Sequence, residues 1–124
     1  MLKHSARNYL LILTILAGVA AADEDFRLFA YPNPFVAGYA DAQLAYYLPA
    51  DAVISIYVYD LDGNHVRTLV DGANRPRGDH RGRDRWDGRD DDGEIVDAGP
   101  YLIVLDVRME GKPHRDTFVA VVDR

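Results

Sequence analysis

Beyond residue 22, apolar and polar residues alternate with a period of two, and clusters of turn formers interrupt the alternation at short intervals. Period two marks strands with one buried face, and no stretch there sustains the 3.6-residue apolar spacing of an amphipathic helix. Leu44, Tyr46 and Leu48 share one face of a strand that stops at Pro49. Ile54, Ile56 and Val58 share a face of the next, with Val53, Ser55, Tyr57 and Tyr59 on the other. Asp60-Leu61-Asp62-Gly63-Asn64 is a turn, because Gly63 and Asn64 tolerate positive φ. Val66 to Val70 resumes as a short strand, and Asp71 to Gly78 reads as a loop. Arg81, Arg83 and Arg85 alternate along a strand leading into Trp86, the wet face of an edge strand whose charge discourages pairing. Asp79, Asp84 and Asp87 lie close enough in the chain to neutralise those arginines. Tyr101 to Arg108 is apolar on both faces and is expected at a sheet centre. Gly111-Lys112-Pro113 turns the chain into a last strand, Phe118 to Val122.

Counting Phe26 to Tyr31 as the first, these segments make seven strands, spaced as in an all-β, immunoglobulin/fibronectin-III-like β-sandwich. The N-terminal residues read differently. Lys3 and Arg7 precede an apolar run, Tyr9 to Val19, followed by Ala20-Ala21-Ala22, the layout of a secretory signal helix cleaved after Ala22. The run falls well short of the roughly 20 apolar residues of a spanning helix. Residues 1–22 are therefore expected to be a signal peptide and residues 23–124 one exported domain, periplasmic or at the cell surface, with no membrane span after cleavage.

Charge narrows the partners. Of the 14 Lys and Arg residues two precede residue 23, leaving 12 against 20 acids, a net −8 for the mature chain. Nucleic-acid binding depends on cations neutralising phosphates and is not expected. The absence of cysteine excludes a disulfide framework and thiolate chemistry.

Two landmarks stand out, Tyr31-Pro32-Asn33-Pro34-Phe35 and Trp86-Asp87-Gly88-Arg89-Asp90-Asp91-Asp92-Gly93. Pro32 and Pro34 remove two backbone donors, so the first segment cannot lie mid-sheet and is expected along an edge with its aromatics inward. Trp86 reads as a core plug, Gly88 and Gly93 bracket an acidic turn, and Gly99 allows a tight start to the strand at Tyr101.

In their order along the chain, these elements resemble the FlgD-type immunoglobulin-like domain of the flagellar hook-capping protein, which is similar in turn to the C-terminal sorting domains of type IX secretion cargo. The resemblance runs through the proline landmark, Leu44 to Leu48, Val53 to Asp60, Gly63, Val66, Leu69, Trp86-Asp87-Gly88, Asp90, Gly93, Val96, Gly99 and Tyr101. It implies a non-enzymatic module acting by protein–protein association, with secretion sorting or surface anchoring as the alternative. The sorting domains end in a basic strand, whereas this chain ends Phe118 to Arg124, and a stand-alone module is expected. Asp84 falls where the family has an apolar inward residue, so local distortion or an arginine partner is expected.

The residues themselves propose little chemistry. After the signal, Ser55 is the only serine, and His65, His80 and His114 fall in separate segments, so no nucleophile, base and orienting group are spaced as a set. No cofactor is expected. Calcium is considered because acids crowd residues 87–97, with Asp87, Asp90 and Asp92 as first choices among its oxygen ligands. Tyr47, Tyr57 and Tyr59 are candidates for a carbohydrate or peptide platform.

Overall fold

The computed structural model describes residues 26–124; the signal segment lies outside the described residues. These form two packed layers with eight strands, antiparallel except for β2: β1 (Phe29–Tyr31), β2 (Phe35–Val36), β3 (Ala42–Leu48), β4 (Ala52–Asp60), β5 (His65–Arg75), β6 (Gly78–Trp86), β7 (Gly99–Met109) and β8 (Lys112–Asp123). One sheet has the order β1-β3-β6, the other β2-β8-β7-β4-β5, so β7 is central as its two apolar faces require.

The eighth strand is β2, which pairs parallel to β8 through Phe35 and Val122. The proline landmark is therefore the crossover between the sheets: β1 pairs with β3 as far as Tyr31, and four residues later Phe35 lies in the other layer. Neither proline has an N–H to offer β8, and Asn33 between them supplies the missing pairing. Its amide donates to the Val119 carbonyl (3.2 Å) and accepts from the Val121 N–H (2.7 Å), as a neighbouring strand would. Phe35 is buried as expected, but Tyr31 faces outward, because β1 alternates and Ala30 takes the inward place.

Residues 71–75 are not a loop. β5 continues through a bulge, where the register with β4 shifts between Ile54 and Ile56, Gly72 takes φ +69°, and Ser55 Oγ accepts the Gly72 N–H. A bulge needs residues that read locally as turn formers. The extension carries Arg75 to the sandwich rim.

The core is the set of inward faces expected from period two: Leu44 and Leu48 from β3, Ile54 and Ile56 from β4, Ile103 and Leu105 from β7. Trp86 is fully buried, edge-on to Phe35 (5.5 Å between centroids) and to Tyr101 (5.3 Å).

Asp84 points into this interior. Its carboxylate accepts the Tyr46 hydroxyl (2.6 Å) and the Arg75 Nη2 (3.0 Å), joining β3, β5 and β6 across the two sheets. The expected arginine partner is thus Arg75, supplied by the β5 extension. His80 stacks on Tyr46 (5.1 Å) with its Nε2 2.7 Å from the Pro76 carbonyl.

Burial first, then the hydrogen bond to Asp84, holds the Tyr46 phenol well above its ordinary pKa of 10.0. Burial shifts Tyr59 and Tyr101 in the same direction. A raised folded-state pKa means that the unfolded chain ionises first as pH rises. The stabilisation is therefore complete below about pH 10 and is lost progressively above it. In urea titrations, wild-type stability is expected to fall more steeply above about pH 10 than that of Tyr46→Phe. Equal slopes would show that Tyr46 contributes nothing to alkaline unfolding.

Candidate functional site

The acidic end of the sandwich is built from one turn used twice. In Asp60-Leu61-Asp62-Gly63-Asn64, Asp60 Oδ1 accepts the N–H groups of Asp62 and Asn64, the Gly63 N–H bonds the Asp60 carbonyl, and the Asp60 N–H bonds the Asn64 carbonyl. Asp90-Asp91-Asp92-Gly93-Glu94 repeats every one of these bonds, with Asp90 Oδ1 accepting from Asp92 and Glu94. Gly63 and Gly93 take φ of +89° and +85°, the left-handed conformation that closes each turn. The shared sequence signal is Asp-x-Asp-Gly-x.

The two turns flank an open hollow of about 430 Å³ whose lining includes Asp60, His65, Asp90, Asp91, Asp97 and Tyr101. Most of these acids already have work. Asp91 Oδ1 accepts the Thr68 N–H while the Asp91 N–H bonds the Val66 carbonyl, so the loop covers the outer edge of β5. Asp87 Oδ1 accepts from Arg67 Nη1 and the Arg89 N–H. The Trp86 indole N–H donates to the Arg89 carbonyl, and Tyr101 Oη donates to the Asp97 carbonyl.

Among the described residues no three acid or histidine side chains converge as a cation cage. Of the proposed ligands, Asp90 turns Oδ1 to its own loop's N–H groups and Asp87 faces two arginines.

The tyrosine candidates fall on opposite sides of the sandwich. Tyr57 and Tyr59 project outward from β4, their rings tilted at 53° with His65 set edge-on to both, a herringbone cluster rather than a coplanar platform. Cross-strand register continues this face through Leu102 and Val119. Beside it Arg115 forms a two-pronged pair with Asp106. Tyr47 projects from the other sheet, under the Arg27 guanidinium (4.8 Å). Alternation shows which face of a strand is outward, but not which sheet the strand joins.

The histidines are dispersed: His65 bonds Thr68, His80 stacks in the rim clasp, and His114 lies edge-on to Phe26. Ser55 Oγ is engaged with the β5 bulge.

No protein-family model and no curated protein sequence matches this chain. Solved structures do. FlgD from P. aeruginosa superposes with a TM-score of 0.58 at 22% identity, over 78% of this chain and 75% of that one. The domain shares its fold with FlgD. Dimeric latent PorU from Porphyromonas gingivalis gives a TM-score of 0.60 at 19% identity over 77% of this chain, which spans 9% of the PorU chain. PorZ, a surface component of the type IX secretion system of P. gingivalis, gives 0.47 at 22% identity, over 87% of this chain and 13% of that one. The FlgD-like fold accommodates the two landmarks as crossover and core plug; at these identities the likeness is one of architecture.

Proposed function

We propose that this chain is an exported, non-enzymatic β-sandwich module for protein–protein association in extracytoplasmic assembly. The observation that carries the reading is the commitment of its polar groups. The acids of the 87–97 loop, Ser55, His80 and the rim clasp hold loops, bulge and sheets together, leaving two broad sheet faces as the surface for recognition. The fold shared with FlgD supports an assembly role by analogy.

On the larger sheet, recognition by the face is favoured over added strands because its long edges are obstructed. Asn33 occupies the edge of β8 at Val119 and Val121, Asp116 Oδ1 accepts the Thr117 N–H, and Asp91 with the Asp71-Gly72 bulge does the same service for β5.

The test is a pull-down with the chain from Asp23 onward, from the envelope fraction of its source, with and without added calcium. One partner set recovered in both conditions is expected, and no partner in either would sink the reading. The alternative, a secretion-sorting or surface-anchoring module, draws on the fold shared with PorU. It predicts instead that fusion to a reporter redirects the reporter to the cell surface.

A further inference from the structure

In the sequence, Asp79, Asp84 and Asp87 stand close enough to neutralise the arginine alternation of β6. The structure removes two of those three acids. Asp84 is turned inward to Arg75 and Tyr46, and Asp87 is held by Arg67 and Arg89. Among the described residues, Arg81, Arg83 and Arg85 form no ion pair, and Asp79 is the acid that β1, β3 and β6 carry outward.

Aromatic rings lie among these cations. Arg81 sits over Phe29 (5.8 Å), Arg27 over Tyr47 (4.8 Å), and Phe29 packs against the outward Tyr31 (5.7 Å). A chain of net −6 therefore gathers four arginines and three aromatics on one sheet face, the residue types that dominate protein recognition surfaces. The Arg81 guanidinium over Phe29 keeps its N–H edges for a carboxylate, which arginine binds in a two-pronged fork.

We propose that the outward face of the three-stranded sheet docks an acidic, aromatic-containing segment of a partner protein. This rests on the association reading above and names the face and the partner's chemistry. A protein segment is favoured over a nucleic acid because the acids lie elsewhere on the same small domain. At physiological salt, charges are felt over about 8 Å, so a short acidic segment meets the arginines, whereas a long uniform polyanion also meets the acidic end.

The probe is a fluorescent peptide of alternating glutamate and tyrosine, titrated into the chain from Asp23 onward. Saturable binding is expected, weakened at least about tenfold by Arg81→Glu with Arg83→Glu and by high salt, but unchanged by Arg108→Glu on the opposite sheet. Both variants are expected to melt as wild type does, since these side chains are exposed. No binding, equal loss in the two variants, or a duplex DNA bound as tightly as the peptide would overturn the proposal. Repeating the pull-down with Arg81→Glu/Arg83→Glu separates the two readings. A partner still captured defeats the arginine face and leaves association standing, whereas no partner even for wild type defeats association, with the peptide titration still deciding the face.

Discussion

Asp84→Ala is expected to destabilise the domain by about 3–5 kcal/mol, because it strands the Arg75 guanidinium at the sandwich rim without its counter-charge. The side chains of Arg75 and Asp84 are only 10% and 6% exposed, so solvent screening does not rescue them. Burial by itself would lower the Arg75 pKa, yet the hydrogen bond and charge of Asp84 outweigh it and hold the group above its ordinary value. Because arginine is not deprotonated in proteins, the guanidinium stays charged when that partner is removed. For a domain of this size the loss corresponds to a fall in melting temperature on the order of 15–30 °C. The triple change Asp84→Leu, Arg75→Met, Tyr46→Phe is expected to recover most of it, since a buried polar set exchanged whole for apolar groups leaves nothing orphaned. Recovery is favoured further because Arg75 Nε already lacks a partner in its buried position. Urea midpoints at unchanged slope give the measurement; a loss below about 1 kcal/mol for Asp84→Ala would mean that water reaches the clasp.

That clasp also shows where sequence reading stops. At Asp84, two residues before Trp86, the resemblance implied either local distortion or an arginine partner, and the structure shows the partner. Which arginine answers depended on β5 running past Asp71-Gly72, and a bulge looks locally like the end of a strand. The same limit hid β2: two residues pairing in parallel leave no periodic trace, and only the three-dimensional crossover explains why Asn33 stands between two prolines. Long alternating segments such as Ile54 to Val58 and Tyr101 to Val107 were legible because burial on one face repeats along the chain. Distribution between the sheets is not, so the sequence presents Tyr47 as equivalent to Tyr57 and Tyr59 although they face opposite ways. Acid-rich turns were ambiguous for a related reason. Carboxylates that serve backbone N–H groups and carboxylates that serve a cation have the same composition, and only the direction of the lone pairs separates them.

Trp86→Ala is expected to be at least as damaging as Asp84→Ala, and Trp86→Phe much less so. Truncation empties the fully buried space between Phe35 and Tyr101, and large-to-small changes of this kind cost about 3–5 kcal/mol before any further loss. The indole N–H also pins the Arg89 carbonyl, and beside it Gly88 packs against Ala37. A Cβ added at Gly88 would lie 2.4 Å from that of Ala37. Loss of the indole thus frees the loop whose Asp91 covers β5, so hydrogen exchange is expected to rise at Thr68 together with the global destabilisation. Phenylalanine keeps most of the apolar volume, and the Arg89 carbonyl keeps its second donor, Arg67 Nη1 at 3.1 Å, so the cost should stay near about 1–2 kcal/mol. If the two substitutions prove equally costly, the indole hydrogen bond rather than core volume carries the role of Trp86. If Trp86→Ala leaves Thr68 protected, the loop is held by Asp87 and Arg67 alone.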